Sequence, residues 1–278
     1  MQIKEKIQNQ QPLDIGVAIV RIALGIVLMV GGFKLAFPED PEGLVDSYTA
    51  ADGWIAPLFV DWIGAYFPVD VLGFLNTMGW LEMLVGLALV LGGAIPWVAA
   101  LAGVMFLSFA ISNPDVGMIR IAKDVSMAAF AFAIAYTGSG RFSIDGLTGL
   151  APSALNTRRD WFLGAVRLGL LYAFVMAVMF PLGVGEGVLN ETAIAWAASA
   201  LIAVLLMAPR TARLACGMVA LWMAALVLIS MFTELADQGL SGLYWGLDAT
   251  KRQLGVFAAG LAYLLTGPDE VSLWPPGK

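Results

Sequence analysis

The chain contains no histidine and a single cysteine, Cys216, among its 278 residues. Histidine and cysteine are the usual ligands of haem, iron–sulfur clusters and structural zinc, so this composition excludes His-ligated haem, an iron–sulfur cluster and a Cys/His zinc site. It also excludes a Ser-His-Asp triad and a Cys-His nucleophile pair. We therefore expect no metal or haem, and we interpret Cys216 as a packing residue in the middle of a helix.

Charged residues are also scarce. They make up 13% of the chain, while 60% is hydrophobic, and the mean hydropathy is +0.83. Soluble domains are about half apolar and about a quarter charged, so the sequence predicts an integral membrane protein that lies in a lipid bilayer. The net charge of −6 argues against binding to nucleic acid.

What the sequence does contain is a series of long apolar runs. A membrane-spanning helix needs about 20 predominantly apolar residues. Eight such runs are predicted as helices, and Asp14 is placed to cap the first. They cover about residues 14–36, 71–91, 95–111, 118–136, 161–180, 192–208, 212–232 and 251–265. We predict an all-α membrane protein with about eight transmembrane helices.

The longest connection, residues 37–69, is rich in acidic and aromatic side chains and contains no lysine or arginine. Within it, Gly53–Phe67 is predicted to form a short amphipathic helix in the membrane interface, where aromatic rings are favoured. Connections of this length are often lids or binding elements. We call residues 37–69 the lid loop.

The second half of the chain resembles the first. Three pairs of residues correspond in this alignment: Arg21 with Arg167, Thr137 with Thr266, and Lys123 with Arg252. The second half lacks counterparts of Lys34 and Glu82. Because four helices bring the chain back to the same side, we predict two four-helix bundle units in parallel repeat, residues 1–146 and 147–278.

Lysine and arginine are distributed unequally between the two sides of the predicted bundle. One side carries Lys4, Lys6, Arg141, Arg158, Arg159, Arg210, Arg213 and Lys278. The lid loop and the connection over residues 183–191 carry none. The positive-inside rule then predicts a multi-pass protein of the plasma membrane with both termini in the cytoplasm and the lid loop outside.

Five basic residues remain near the predicted outer ends of the helices: Lys34, Arg120, Lys123, Lys251 and Arg252. Charge inside a bilayer is costly and usually serves a partner, a pathway or a ligand. A helix places Arg120, Lys123 and Asp124 on one face. We predict that Lys34, Arg120 and Lys123 face one pocket that binds a small anion. The alternative is that these bases only pair with Asp115, Asp124, Asp248 and the lid acids.

Glu82 is the most deeply placed acid. At a rise of about 1.5 Å per residue, it lies more than about 10 Å from the start of the second helix. We expect it to pair with a base from the first or fourth helix, Lys34 or Lys123, or to take up a proton from a quinol or substrate. Arg21 and Arg167 are expected to extend toward inner-leaflet phosphates.

Three groups of residues resemble the DoxX/DoxD family of four-helix membrane proteins. They are Arg21-Ile-Ala-Leu-Gly25 with Gly32-Phe-Lys34-Leu, Glu82-Met-Leu-Val-Gly86, and Lys123-Asp124 with Thr137-Gly138-Ser-Gly140-Arg-Phe-Ser143-Ile-Asp145. The resemblance covers about residues 14–146 and is faint over 161–274. The DoxD branch is the large membrane subunit of thiosulfate:quinone oxidoreductase, which joins two thiosulfates into tetrathionate and reduces a quinone. The resemblance therefore implies thiosulfate at the outer bases and a quinone head group in the bundle.

These arguments select three groups of candidate residues. They are Glu82, Lys123 and Asp124 for catalysis, Lys34, Arg120, Lys123 and Arg252 for binding the anion, and Trp80 and Arg21 for binding quinone as the electron acceptor. A partner subunit or a second copy of the chain is expected beside it. Two other functions remain open: a small-anion transporter, and a non-catalytic anchor or assembly subunit of a respiratory complex.

Overall fold

The computed structural model describes residues 2–50, 57, 61–62, 64–66, 70–112, 118–149, 155–180 and 193–269. These residues form helices and turns, and no β-strand occurs among them. The helices are α1 (Gln2–Ala36), α2 (Pro41–Thr49), α3 (Gly64–Tyr66), α4 (Val71–Leu91), α5 (Ile95–Ser112), α6 (Met118–Thr137), α7 (Ile144–Leu147), α8 (Leu155–Met179), α9 (Ala193–Leu206), α10 (Pro209–Gln238) and α11 (Leu240–Thr266).

A helix covers each of the eight predicted apolar runs. Four segments are long and apolar enough to cross a membrane: Pro12–Ala36, Val71–Leu91, Arg158–Met179 and Pro209–Gln238. Ile95–Ile111 and Ile194–Leu206 are apolar but shorter. The remaining two, α6 and α11, each carry three charged residues within the helix, which lowers their apolarity. The prediction of an all-helical membrane protein is confirmed at this level.

The helices pack in chain order around a closed ring. From α4 through α5, α6, α8, α9 and α10 to α11, each of these helices packs against the next, and α1 lies between α11 and α4. Four helices also meet across the ring, α1, α6, α8 and α11. The two halves of the chain therefore share one apolar core, which includes Leu24, Met127, Phe130, Val166 and Val256.

Helices α1 and α4 pack closely, because glycines face each other along the contact. A Cβ atom on Gly25 would lie 2.6 Å from the carbonyl oxygen of Gly86, and one on Gly32 would lie 2.5 Å from that of Gly79. Any larger side chain would push the two backbones apart. Small residues at helix interfaces in membranes permit this close approach.

Asp14 is not the cap of the first helix, so that prediction is wrong. Helix α1 begins at Gln2 and continues through Pro12, which places Asp14 inside it, 2% exposed. Its carboxylate instead accepts a hydrogen bond from the backbone N–H of Arg141 at 3.2 Å and lies 3.5 Å from Nε of the same residue. Asp14 thus holds the segment that follows α6.

The lid loop contains a helix that the sequence analysis missed. Helix α2 begins after Asp40, whose carboxylate accepts a hydrogen bond from the N–H of Gly43 at 2.9 Å, and Pro41 occupies its first turn. An acidic cap followed by proline is a recognisable helix start. Leu44 and Tyr48 of α2 pack on Leu75 of α4.

Most of the predicted interfacial helix, Gly53–Phe67, lies outside the described residues. Helix α3 is described within it, and the rings of Trp62 and Tyr66 lie 5.6 Å apart there and are exposed.

Candidate functional site

Charged side chains gather near the end of α1, the middle of α4, the start of α6 and the first half of α11. This end of the bundle lies beside α2, and we call it the lid end. Glu82 of α4 is 4% exposed and faces Gly31 of α1. A Cβ atom on Gly31 would lie 3.1 Å from Oε2 of Glu82 and 3.9 Å from Nζ of Lys251. A carboxylate and an ammonium group thus meet over one glycine, inside the bundle.

The base beside Glu82 comes from α11. The expected partner was Lys34 or Lys123, and this expectation is wrong, because the charge that attracts Glu82 is that of Lys251. The reason is that α11 packs against α1, which places Lys251 near Gly31, the residue that Glu82 faces. Glu82 itself has no hydrogen bond or direct ion pair with any residue in the described part of the chain. It is a buried carboxylate whose charge is balanced only at a distance.

Two of the outer bases share one acid. Nζ of Lys34 lies 3.6 Å from Oδ2 of Asp248, and Lys251, one helical turn later in α11, contacts Oδ1 of the same carboxylate. Lys34 is half exposed, while Lys251 and Asp248 are largely buried. Both lysines therefore have an acidic partner, Asp248, which is one of the acids named in the alternative interpretation.

A second ion pair joins α6 to α11. The guanidinium of Arg252 donates from Nε to Oδ1 of Asp124 at 2.8 Å and from an Nη to Oδ2 at 3.2 Å, which is the two-bond fork that arginine forms with carboxylates. Asp124 is 2% exposed. The charges of Arg120 and Lys123 also act on this carboxylate. Asp124 and Arg252, predicted for catalysis and anion binding, are thus each other's partner.

A cavity of about 710 Å³ opens at the lid end between the end of α1, α2 and the start of α11. We call it the lid pocket. Its aromatic walls are Phe33, Phe37, Tyr244 and Trp245, and its charged lining residues are Lys34, Glu39 and Asp40. Phe33 and Tyr244 have ring centroids 5.2 Å apart, and Trp80 contacts Phe37 at the same distance. Trp80, predicted to bind quinone, therefore supports one wall of this pocket.

Tyr48 of the lid helix α2 lies close to the charged cluster. Burial raises the pKa of its hydroxyl group, the negative charge of Glu82 raises this pKa further, and Arg252 acts in the opposite direction. The lid helix is therefore electrostatically coupled to Glu82, a link that the sequence did not indicate.

A smaller cavity of about 50 Å³ lies in the second half of the bundle, between α6, α8, α9, α10 and α11. We call it the Lys123 cavity, because Lys123 lines it together with Ser199, Trp222 and Gln253. The prediction that Lys34, Arg120 and Lys123 face one pocket is wrong. Lys34 lines the lid pocket, Lys123 lines this separate cavity, and half-buried Arg120 lines neither. Lys34 and Lys123 project from faces of α1 and α6 that are turned to different neighbours.

Arg21 and Arg167 are buried at the opposite end of the bundle, 1% and 0% exposed. Arg21 donates to the carbonyls of Leu89 at 2.6 Å and Val90 at 3.1 Å, which are the last residues of α4. A third hydrogen bond of 2.5 Å goes to the carbonyl of Phe142. The prediction that these arginines extend to lipid phosphates is wrong, because their charges meet the negative ends of helices inside the protein.

Arg167 makes the corresponding contacts in the second half. It donates to the carbonyls of Leu206 at 3.0 Å and Met207 at 3.2 Å, at the end of α9, and pairs with Asp269 at 2.8 Å. Arg21 contacts α4 nine residues beyond Trp80, a separation of about 13 Å along a helix. The two residues predicted to bind quinone are therefore not neighbours.

The site thus combines a pocket lined by aromatic rings and one lysine with a buried carboxylate, Glu82, that lies beside the ion pairs that begin at that lysine. Sequence reasoning missed Tyr48, Ser199, Tyr244 and Gln253; the signal for Ser199 and Gln253 was a polar side chain within an apolar helix. Among the described residues, no group of three or more His, Cys, Asp or Glu side chains could hold a metal ion. No protein-family model, no curated protein and no solved structure matches this chain.

Proposed function

We propose that this chain is a DoxX/DoxD-like membrane subunit of an oxidoreductase that passes electrons from thiosulfate, or another small sulfur anion, to quinone. The observation that carries the proposal is a set of ion pairs that begins in the lid pocket and ends beside Glu82. Lys34 lines the pocket, Asp248 joins Lys34 to Lys251, and Lys251 lies beside Glu82. The pocket and the buried acid thus belong to one arrangement.

The lid pocket suits a quinone head group in size and in lining. Its volume of about 710 Å³ lies in the range of small-molecule sites, and such sites are mainly apolar with a few polar groups. Phe33 and Tyr244 offer ring faces, and the ammonium group of Lys34 can donate a hydrogen bond to a carbonyl oxygen. The reduction of quinone takes up two electrons and two protons. Glu82 is the buried group that can hold one of these protons.

The parallel contacts of Arg21 and Arg167 support the eight-helix, two-unit repeat. Each arginine lies near the middle of the first helix of its unit and donates to the last carbonyls of the second long helix. In the proposed arrangement all eight helices span the plasma membrane, and both termini are cytoplasmic. Arg159 and Arg213 bind helix-end carbonyls at the end opposite the lid, which supports the predicted orientation.

The transporter alternative is disfavoured by the residues between the two ends of the bundle. A transport path requires polar groups along its length. Along the contact of α1 with α4, the described buried residues between Glu82 and Arg21 are apolar, among them Leu24, Val27, Val85 and Leu89. A partner subunit or a second copy of the chain, which would supply or accept electrons, is part of the proposal.

The test is the thiosulfate-dependent reduction of a water-soluble quinone by the protein purified with its partners. We expect Glu82→Gln to keep the fold and to lower turnover by about 100-fold or more, the usual contribution of a general acid or base. The pH–rate profile should lose one limb. Glu42→Gln, which removes an exposed acid of the lid helix, is the matched control and should leave turnover unchanged.

Lys34→Ala tests the pocket separately, and we expect a higher KM for the quinone. If folded Glu82→Gln and Lys34→Ala proteins both reduce quinone as the wild type does, the site does not carry the reaction. A wild-type complex that shows no thiosulfate-dependent reduction would support the anchor function instead.

A further inference from the structure

Glu82 is a buried carboxyl group to which no group of the described residues hydrogen-bonds. It is 4% exposed and makes no direct ion pair within that part of the chain. Inside the bundle a carboxyl group requires a hydrogen-bond partner in either protonation state, because the ionised form has lost its hydration and the neutral form carries an O–H donor. The partner of Glu82 must therefore come from outside the protein groups around it.

The carboxylate oxygens of Glu82 remain in contact with open space. Among the described residues, the side-chain atoms that are both fully enclosed and without a hydrogen-bond partner are Nε of Arg21 and Oδ1 of Asn76. The oxygens of Glu82 also have no partner but are not enclosed in this way, so each keeps a surface that a water molecule can touch. Buried waters commonly satisfy polar groups of this kind. A water is therefore the partner that this position admits.

Gly31 leaves room for this water between two charged groups. A Cβ atom on Gly31 would lie 3.1 Å from Oε2 of Glu82 and 3.9 Å from Nζ of Lys251. Apart from the neighbouring backbone of α1, no other atom of the described residues comes within 4 Å of that point. The carboxylate and the ammonium group are thus too far apart for a direct ion pair, but near enough for one water to hydrogen-bond to both. Any side chain at position 31 would take this space.

Lys251 connects this position to the lid pocket. Its ammonium group contacts Oδ1 of Asp248, and Oδ2 of the same carboxylate lies 3.6 Å from Nζ of Lys34, which lines the pocket. Neighbouring groups in this series can exchange a proton, since an ammonium group can donate one and the resulting amine can take one back. Glu82 is not among the residues that line the pocket, so its proton must be carried there. Tyr48 of the lid helix is the other titratable group whose charge interacts with Glu82.

We infer that one water molecule binds beside Gly31 and bridges Glu82 to Lys251. Protons pass between Glu82 and the lid pocket through this water and through the ion pairs of Lys251. In one direction, the acid gives its proton to the water while the water gives one to the amine of Lys251, which leaves a carboxylate, an unchanged water and an ammonium group. Only the final use of the proton by quinone rests on the proposed function; the bound water and the exchange of the proton do not.

The exchange of the Glu82 acid proton for deuterium tests this inference without any redox reaction. Infrared spectroscopy follows the exchange in the full-length protein in detergent, at a pH low enough to protonate Glu82, through the carbonyl band that Glu82→Gln removes. Gly31→Ala keeps every charged group and puts a methyl group in the place of the water, so we expect exchange to slow by about tenfold or more. Gly31→Ser should restore part of the rate, because its hydroxyl group can stand in for the water.

Gly217→Ala is the matched control, because its methyl group would meet only Leu264, at 3.7 Å, and it should exchange like the wild type. Lys251→Met removes the group beyond the water and should slow exchange as Gly31→Ala does. Circular dichroism establishes which variants are folded. The inference is overturned if folded Gly31→Ala or folded Lys251→Met exchanges the Glu82 proton at the wild-type rate.

The quinone assay separates this inference from the proposed function. There, Gly31→Ala should lower kcat and leave the KM for quinone unchanged, because Gly31 does not line the lid pocket. If the wild-type complex reduces no quinone while Gly31→Ala and Lys251→Met still slow the exchange, the proposed function fails and the water-mediated path stands.

Discussion

The two buried arginines occupy matching positions and yet are balanced in different ways. Arg21 contacts three carbonyl groups, while the nearest acid, Asp145, accepts hydrogen bonds of 2.9 Å from two backbone N–H groups at the start of α5. Arg167 contacts two carbonyl groups and forms two hydrogen bonds with Asp269, which also accepts one from Tyr263. One charge is met mainly by helix-end dipoles and the other by a carboxylate. A buried arginine at the end of a helix is therefore balanced in two different ways within one chain.

The two halves also differ in how closely their first helices pack. Gly25 and Gly86 touch in the first half. The corresponding positions, four residues after Arg167 and three before Leu206, are Leu171 and Ala203. A leucine at this point does not permit the close backbone approach that the two glycines allow between α1 and α4. The first half thus has a glycine contact between helices that the second half lacks at the corresponding positions.

The largest effect on this comparison is expected from Asp269→Ala. The change leaves the Arg167 guanidinium without its acid in a fully buried place, so we expect the free energy of unfolding to fall by about 3–5 kcal/mol. Unfolding of the purified protein in detergent measures it. The double variant with Arg167→Met and Asp269→Leu removes both charges and should recover a large part of the loss. If the double variant is no more stable than Asp269→Ala, then Asp269 does not stabilise the protein through its ion pair with Arg167.

A smaller loss is expected from Arg21→Met. This change removes the buried charge together with its hydrogen bonds, and it leaves three carbonyl groups without a donor, which costs about 2–3 kcal/mol. The same unfolding measurement applies. Arg210→Met is the control, since Arg210 is exposed and its loss should change stability by no more than about 0.5 kcal/mol. Equal effects of Arg21→Met and Arg210→Met would argue against a structural role for Arg21.

The smallest of the three losses is expected from Gly86→Ala. The added methyl group would lie 2.6 Å from the carbonyl oxygen of Gly25, and such overpacking costs about 1–2 kcal/mol. Gly217→Ala is the matched control, because its methyl group would meet only Leu264, at 3.7 Å. Alanine favours a helix over glycine by up to about 1 kcal/mol, so this control should be neutral or stabilising. If both variants gain stability, α1 and α4 can move apart at no cost.

The positions of the long helices and the burial of Glu82 followed from the sequence by itself. An apolar run of about 20 residues has few alternatives to a helix in a membrane, because every backbone polar group must be bonded within the segment. Glu82 interrupts such a run, so its depth follows from the helix rise. The sequence also marked Arg21 and Arg167 as corresponding residues, and their contacts agree with that alignment.

The partners of these charges were decided by the tertiary structure. Each basic side chain can reach several neighbours, and which one it meets depends on the helix that packs beside it. Because α11 packs on α1, Lys251 rather than Lys34 or Lys123 lies beside Glu82, and Arg252 takes Asp124. Contacts between helices more than 100 residues apart in the chain leave no local pattern, since apolar helices offer similar faces to many partners. The tertiary structure also decided that the guanidinium groups of Arg21 and Arg167 lie inside the protein rather than in the lipid.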